Sequence, residues 1–456
     1  MAAPPDRRRR RRRRTLALAA VTTLLPVTAC GGVGLADDSD TFTTMGYGLG
    51  DALANVRIDI ARETLDGVEL QVTEGAFDEQ QFLSAVAADD PPDVVRMDRA
   101  LVGGYAARGA LVPLTDCLDE RNVDLDQYRD EALAEATLDG TVYGLPDSYD
   151  SRVTLVSGDV LDEAGLRTSD VDTSDWDRLA WAAEELHREE DGQVTRIGFD
   201  PKIPEFFPLW VAANGGALIS DDGRTARLDS PEVVEALEYT LGLIDAQGGW
   251  GRLKSLRDTF DQFGAANPIA SGQVGAYPME DWYVNVLAGT SPDVDLRVEP
   301  FRDRAGEPLN YSTGASWVIP QGSPHLREAC EFVTTMTAAD TWVTAARAKA
   351  EEVRATGSPY VGDFTGNREA DRIIEEEIWR PTGNAAFDDA TELMYDIQDD
   401  AVSVPANAAG TEFRKAWQSA VNRALSGDVS PEEALDRAQQ EAQSALDRAA
   451  SQRGES

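Results

Sequence analysis

Thr41-Phe42-Thr43-Thr44-Met45-Gly46-Tyr47 reads as a β-strand, and the alternation that begins with it decides the fold. Asp51 to Leu65 carries the spacing of an amphipathic helix, Val68 to Thr73 reads as a second strand, and Phe77 to Ala88 as a second helix. Asp93 to Met97 is a third strand and Ala100 to Arg108 a third helix. Pro91-Pro92 cannot continue the helix before them, so they end it ahead of the buried run Asp93-Val94-Val95. Strand and helix alternating in this way predict a mostly parallel sheet with helices on both faces.

Working outward, a second α/β block runs from about residue 155 to 300. Its best-marked helix opens at Ser230-Pro231-Glu232, with serine at the N-cap, proline at the first helical position and an acid in the first turn. Val234, Leu237, Leu241 and Ile244 form its apolar stripe, and Gly248-Gly249 stops it. Beyond residue 320 the chain is mostly helical. The last helix opens on a capping box, Ser430-Pro431-Glu432-Glu433, and carries Ala434, Leu435, Ala438, Ala442 and Leu446 on one face.

At the other end, Arg7 to Arg14 is an unbroken run of arginine, followed by the apolar stretch Leu16 to Val27 and by Val27-Thr28-Ala29-Cys30-Gly31-Gly32. The stretch is shorter than the roughly 20 apolar residues a spanning helix needs. A cationic segment, a short apolar segment and small residues ahead of a cysteine have the pattern of a lipoprotein export signal, with an ordinary secretory signal and an incidental cysteine as the alternative reading. Residues 1–29 are therefore expected to be removed, with Cys30 lipidated and residues 30–40 serving as a flexible tether. The expected place of work is the extracellular face of the cytoplasmic membrane.

The full chain of 456 residues carries a formal charge of -40, and the signal holds eight arginines and one acid, so the mature chain stands near -47. That balance argues against nucleic acid or an anionic lipid surface as partner, since both need Lys/Arg footprints. Cys117 and Cys330 form either one disulfide or two buried thiols. With only His187 and His325 beside them, both read as surface positions, no zinc site is expected. No cofactor is expected either, because the glycine pair Gly215-Gly216 lacks the Gly-Lys-Ser/Thr of a phosphate loop.

The chain resembles the extracellular solute-binding proteins of bacterial ABC importers, in particular the family 1 group that serves carbohydrate uptake. Pro92-Asp93-Val94-Val95 and then Gly109-Ala110-Leu111-Val112-Pro113-Leu114 resemble that family's "PDV, then G-x-L-x-P-L" segment. Asp139-Gly140-Thr141-Val142-Tyr143-Gly144-Leu145-Pro146 is similar to its approach to a first interlobe crossing. Asn214-Gly215-Gly216, Asp222-Gly223 and Leu228-Asp229-Ser230-Pro231-Glu232 come next, in the family's order. Ser271-Gly272-Gln273-Val274-Gly275-Ala276 with Asp281-Trp282, and Gly314-Ala315-Ser316-Trp317-Val318-Ile319-Pro320, complete the series. One departure stands out: Val156-Ser157-Gly158 occupies the place of the family's usual Tyr-Asn pair.

The resemblance implies an α/β, two-lobed periplasmic-binding-protein-like fold of type II, with an interlobe hinge and a ligand cleft that closes on its ligand. Lobe 1 is expected to comprise residues 41–149 and 311–375. Lobe 2 takes 150–310 and, mainly, the helical part 376–456. It also implies a monomer without catalytic activity that captures a carbohydrate and hands it to the permease subunits of an ABC importer. A secreted glycoside hydrolase is the alternative from another class, needing two carboxylates about 5–10 Å apart. The same fold holding a polyamine or another small solute is the third.

A sugar offers apolar C–H faces and polar rims, so its site calls for aromatic platforms edged by carboxylates, amides or arginine. Trp282 matches the family's site-bearing tryptophan, with Asp281 beside it as an acceptor of hydroxyl hydrogens. Trp317, at the second crossing, either faces the cleft or packs at the hinge. Asp147, Tyr149, Asp150 and Arg152 come just after the first crossing and either line the cleft or form a solvated loop. Among Phe206, Phe207 and Trp210, one is a candidate aromatic wall, with core packing the simpler role for Phe207. Tyr47 and Asp98 sit at carboxyl ends of strands, where open α/β sheets bring ligands. Trp379 and Arg380 are further candidates in the C-terminal part.

Overall fold

A computed structural model describes residues 40–454. The export signal and Cys30 lie outside the described residues. No described helix is long and apolar enough to cross a membrane.

The elements read from the first hundred residues form as strands Thr41–Tyr47, Glu69–Glu74 and Val94–Asp98 and helices Ala52–Thr64, Glu79–Ala87 and Arg99–Ala107. The helices begin where short carboxylates can satisfy free amides: Asp51, Asp78 and Asp98 each accept a backbone N–H of the first turn. The three strands pair in parallel, with Thr41–Tyr47 in the middle. Two later segments complete a five-stranded sheet: Ala315–Val318 lies antiparallel to both Val94–Asp98 and Gly144–Pro146. The sheet is thus parallel in one half only, because its last two strands belong to segments that connect it with the second sheet. Alternate strand residues feed two cores. Phe42, Val94 and Trp317 pack on one face with Ile58, Phe332 and Met336, and Met45, Val95 and Val318 on the other with Phe82, Val102 and Tyr105.

The second sheet runs Leu296–Pro300, Arg152–Ser157, Val274–Glu280, Gln193–Phe199, Arg188–Glu190. Only the pair of Val274–Glu280 with Gln193–Phe199 is parallel. One large core covers it, built on Trp210, Phe199, Phe207 and Leu237 and extended by the C-terminal helices Thr411–Leu425 and Pro431–Gln452. Ser430 caps the last helix by accepting the Glu433 amide at 3.2 Å. Ser230 occupies the N-cap of Pro231–Ala246 but makes no side-chain capping bond. That helix buries Val233, Ala236, Leu237, Thr240, Leu243 and Ile244, while Val234 and Leu241 are only partly covered. Leu237 and Ile244 of the expected stripe thus lie on the buried face, which Val233, Ala236, Thr240 and Leu243 complete.

Cys117, in Thr115–Arg121, is joined to Cys330, in Leu326–Thr337, across 213 positions of sequence. His325 is not a surface residue. Its ring packs beside Phe42, and Nδ1 lies 2.8 Å from Oδ1 of Asp93, whose other oxygen accepts the Thr43 amide at 2.7 Å. His187 is half-buried at the end of Trp176–Leu186.

Candidate functional site

The chain leaves the first sheet after Pro146, enters the second at Arg152, and returns between Pro300 and Ala315. These connections are tied together. Asp150 and Thr313 exchange backbone hydrogen bonds of 2.9 and 3.3 Å, and Asn310–Tyr311 pairs with Ala401–Val402. Gly314 has φ +145°, and a Cβ there would lie 2.3 Å from the carbonyl oxygen of Ser148, so only glycine fits this crossing.

Arginines clamp the crossings. Arg99, fully buried, donates to Glu135 at 2.8 Å, to the Ser148 carbonyl and to the Ser312 hydroxyl at 3.0 Å. Arg152 donates to the carbonyls of Asp150 and Tyr311 at 2.6 and 3.1 Å and to the Thr313 hydroxyl at 2.8 Å. Asp147, fully buried, accepts from Arg57, from Nε of Arg96 at 2.5 Å and from Nε1 of Trp317 at 3.2 Å. Burial alone would raise the Asp147 pKa, but the two guanidiniums outweigh it and hold the carboxyl below its usual range.

A cleft opens where these crossings meet the ends of both sheets. It has two compartments, of about 310 and 690 Å³, that share Arg96, Ser148, Asp150 and Trp282 as lining. Tyr47, Asn285 and Trp342 add to the smaller one, and Phe77, Asp98 and Thr313 to the larger. Trp282 begins the helix Trp282–Thr290 directly after the strand Val274–Glu280, which places it at the carboxyl end of that strand. It stays 37 % exposed and stacks on Phe263, itself 68 % exposed, with centroids 6.2 Å apart and planes 15° apart.

The other sequence candidates divide. Asp150 lines both compartments. Asp98 lines the larger one, where Oδ1 caps Arg99–Ala107 and Oδ2 accepts from Arg414 at 2.6 Å. Tyr47 and Tyr149 form wall rather than rim: the Tyr47 ring packs on Trp317, and the Tyr149 hydroxyl donates to the Gln398 carbonyl at 3.0 Å. Asp281 is 1 % exposed, and its carboxylate accepts the amides of Ser151 and Trp282 at 2.8 and 2.6 Å. It pins the crossing instead of presenting a free acceptor. Burial, and then the neighbouring Asp150 charge, push its pKa well up.

Trp317 is fully buried and meets Phe332 edge-on, so it packs at the hinge and does not face the cleft. Trp210 lies in the second core with Nε1 donating to the Pro201 carbonyl at 2.8 Å. Phe207 is also core, and Phe206 is buried beneath the Arg152 guanidinium. Trp379 packs with Tyr360 and Ile378, and Arg380 donates to the carbonyls of Glu376 and Glu377 at its own helix end. Neither lines the cleft.

Sequence reasoning missed Arg96, Ser148, Asn285, Thr313, and the Lys349–Asp363 pair at the smaller compartment. Arg96 carried a signal, being a lone cation inside the otherwise apolar Val94-Val95-Arg96-Met97. Lys349 carried none, because its helix, Ala339–Ala355, bears charge along much of its length.

Two α/β units joined by paired crossing strands, with a partly exposed aromatic at the cleft between them, define a two-lobed binding protein of the periplasmic-binding-protein-like class. The chain belongs to the bacterial extracellular solute-binding protein family, whose model matches residues 59–353. It is 21 % identical over 269 residues to the arabinooligosaccharide-binding protein of Bacillus subtilis, a match covering 57 % of this chain and 59 % of that protein. It is 21 % identical over 275 residues to the lactose-binding protein of Rhizobium radiobacter, covering 57 % and 60 %. The match thus spans about three-fifths of the length of these curated relatives. Among solved structures, CpMnBP1 with mannobiose bound superposes with a TM-score of 0.71 at 22 % identity, over 88 % of this chain and 100 % of that one. The GacH receptor of Streptomyces glaucescens, studied without ligand and with acarbose, gives 0.65 at 20 % identity, over 89 % and 98 %. At these identities the structures establish the fold.

Proposed function

We propose that this protein captures a carbohydrate between its two lobes and delivers it to an ABC importer from the outer face of the cytoplasmic membrane, held there by lipid on Cys30. The observation that carries the reading is Trp282, an exposed indole at the meeting point of two cleft compartments with Arg96, Ser148 and Asp150 around it. An aromatic face suits the C–H face of a pyranose, and the charged and hydroxyl groups suit its rim. Two compartments on either side of one platform favour an oligosaccharide over a single ring. Trp282, Asp150, Arg96 and Asn285 are the proposed contacts, with Tyr47, Asp98 and Thr313 at the edges. Residues 41–149 and 311–375 are the proposed first lobe, and 150–310 with most of 376–456 the second. A ligand that touches both lobes only when they are closed shifts the population toward the closed form, which an importer can distinguish from the empty one.

The sugar-bound relatives support the ligand class, and the Arg7–Arg14 run before Cys30 supports the anchoring. The test is a thermal-unfolding screen of the chain from residue 31 against mono- and oligosaccharides, with polyamines alongside. Ligand at 100 times its dissociation constant adds about 2.7 kcal/mol to the folded state. Stabilisation by one sugar class, with the sugar recovered intact, supports the proposal. Stabilisation by polyamines alone, or breakdown of the sugar, contradicts it. For the anchor, Cys30→Ala should release the protein from membranes into the medium.

A further inference from the structure

Phe263 lines neither compartment of the cleft, yet among the described residues it is the most exposed large apolar side chain. Single exposed apolar residues are common on soluble proteins and mean little by themselves. Trp181, for one, is covered by the Arg178 guanidinium. Phe263 differs because its ring stands beside Trp282, the indole that lines both compartments. The two planes lie 15° apart with centroids at 6.2 Å, against 4.0 Å for the closely overlaid pair Trp176–Tyr239. At the wider spacing neither ring covers the other fully, and both stay open to solvent.

The loop that carries Phe263 is anchored on both sides of it. Phe260, three residues earlier, packs against the core of the second sheet. Asn267, fully buried, donates through Nδ2 to the Gly264 carbonyl at 3.2 Å and to the Ser291 hydroxyl at 2.8 Å. Its Oδ1 accepts the Ala270 amide at 3.0 Å. Ser291 ends the helix that Trp282 begins. One helix therefore positions both rings, Trp282 directly and Phe263 through Asn267. An aromatic held by its scaffold loses little freedom when a ligand covers it.

Neighbouring exposed aromatics that continue from a sugar cleft suit a ligand whose apolar C–H faces repeat along a chain. Sugar rings in the two compartments flank Trp282, and a ring over Phe263 lies beyond both. We propose that Phe263 is an outer subsite at the mouth of the cleft, which selects linear oligosaccharides longer than a disaccharide. The proposal rests on the carbohydrate reading of the cleft and extends it: Trp282 anchors the ligand, and Phe263 sets its preferred length.

Calorimetric titration of the full chain with malto-, cello-, manno- and arabino-oligosaccharides, each from disaccharide to pentasaccharide, tests this. In the series that binds, affinity should rise about fivefold or more beyond the disaccharide, the scale of one aromatic contact. Phe263→Ala should cut that rise to less than twofold, and Phe263→Trp should keep it. Phe263→Leu, which retains apolar bulk without a flat face, should lose the rise as Phe263→Ala does. Melting temperatures equal to the parent's would confirm that these exposed substitutions leave the fold intact. A rise retained by Phe263→Ala overturns the inference. Equal weakening of every chain length also overturns it, since Phe263 would then only support Trp282. A parent that binds the disaccharide and gains nothing with length overturns it too, while leaving the carbohydrate reading intact. Binding of no series at millimolar concentration would overturn both.

Discussion

Asp147→Asn is the sharpest test of how the hinge is held. The carboxylate is fully buried, and Arg57, whose side chain is 3 % exposed, relies on it together with the Met336 carbonyl. Arg96, 27 % exposed, is its second partner. The amide keeps the shape and one acceptor but leaves Arg57 without a charged partner and Arg96 with only the more distant Asp150 charge. Breaking a buried pair in this way costs about 3–5 kcal/mol. With an unfolding entropy of roughly 2.1 cal/mol/K per residue, the described chain unfolds with roughly 0.9 kcal/mol/K. The variant should therefore melt about 3–6 °C below the parent at neutral pH. Asp258→Asn is the matched control, since its pair with Lys254 is more than half exposed on both sides and such pairs contribute about 0–1 kcal/mol. Because the Asp147 pKa is depressed by folding, its contribution is complete above the ordinary carboxylate range and is lost as pH falls through the folded value. The gap between parent and variant should close in strong acid. Equal melting of Asp147→Asn and Asp258→Asn by scanning calorimetry at pH 7.5 would refute the reasoning.

Reducing the Cys117–Cys330 bond frees a loop of 213 positions, and by the chain-entropy relation costs roughly 5 kcal/mol. Calorimetry with and without reductant should show the loss, and Cys117→Ser should reproduce it. Burial pushes Glu135 up to about 7 and Asp371 up to about 6, their arginine partners only partly offsetting it. Folding raises both values, so the folded chain holds more protons than the unfolded one between the ordinary carboxylate range and pH 7. Stability should fall across that window as pH rises, and urea midpoints at pH 5 and 8 should show a smaller difference in Glu135→Gln. Gly314→Ala must shift backbone that a Cβ would meet at 2.3 Å and hold φ near +145°, a loss of about 2–3 kcal/mol readable as a lower urea midpoint.

The fold was legible where local rules and packing agree. Alternating strand and helix from Thr41 to Arg108 is written in periodicity and in the Pro91-Pro92 break, and the structure matches it to within two residues. The antiparallel strands Gly144–Pro146 and Ala315–Val318 were not legible as sheet partners, because pairing across 170 positions leaves no local trace. The cleft was legible in part for the same reason. Trp282 stands just past a strand end and carries a family motif, and it reaches the cleft. Trp317 and Trp210 have similar local signals, yet one is drawn inward by Asp147 and the other by the Pro201 carbonyl. Asp281 shows the limit most clearly. Its neighbour lines the cleft, but two backbone amides reserve its carboxylate, and no spacing in sequence reveals that. Lys349 and Asp363 come to the cleft from a helix and a loop whose charges look like any solvated surface.

The most direct test of the central claim is calorimetric titration of the parent chain and Trp282→Ala with the oligosaccharide that most stabilises the parent. The expected result is one saturable site in the parent, weakened at least tenfold in the variant while its melting temperature changes little. Undiminished binding by Trp282→Ala, or no oligosaccharide binding by the parent at millimolar concentration, would contradict it.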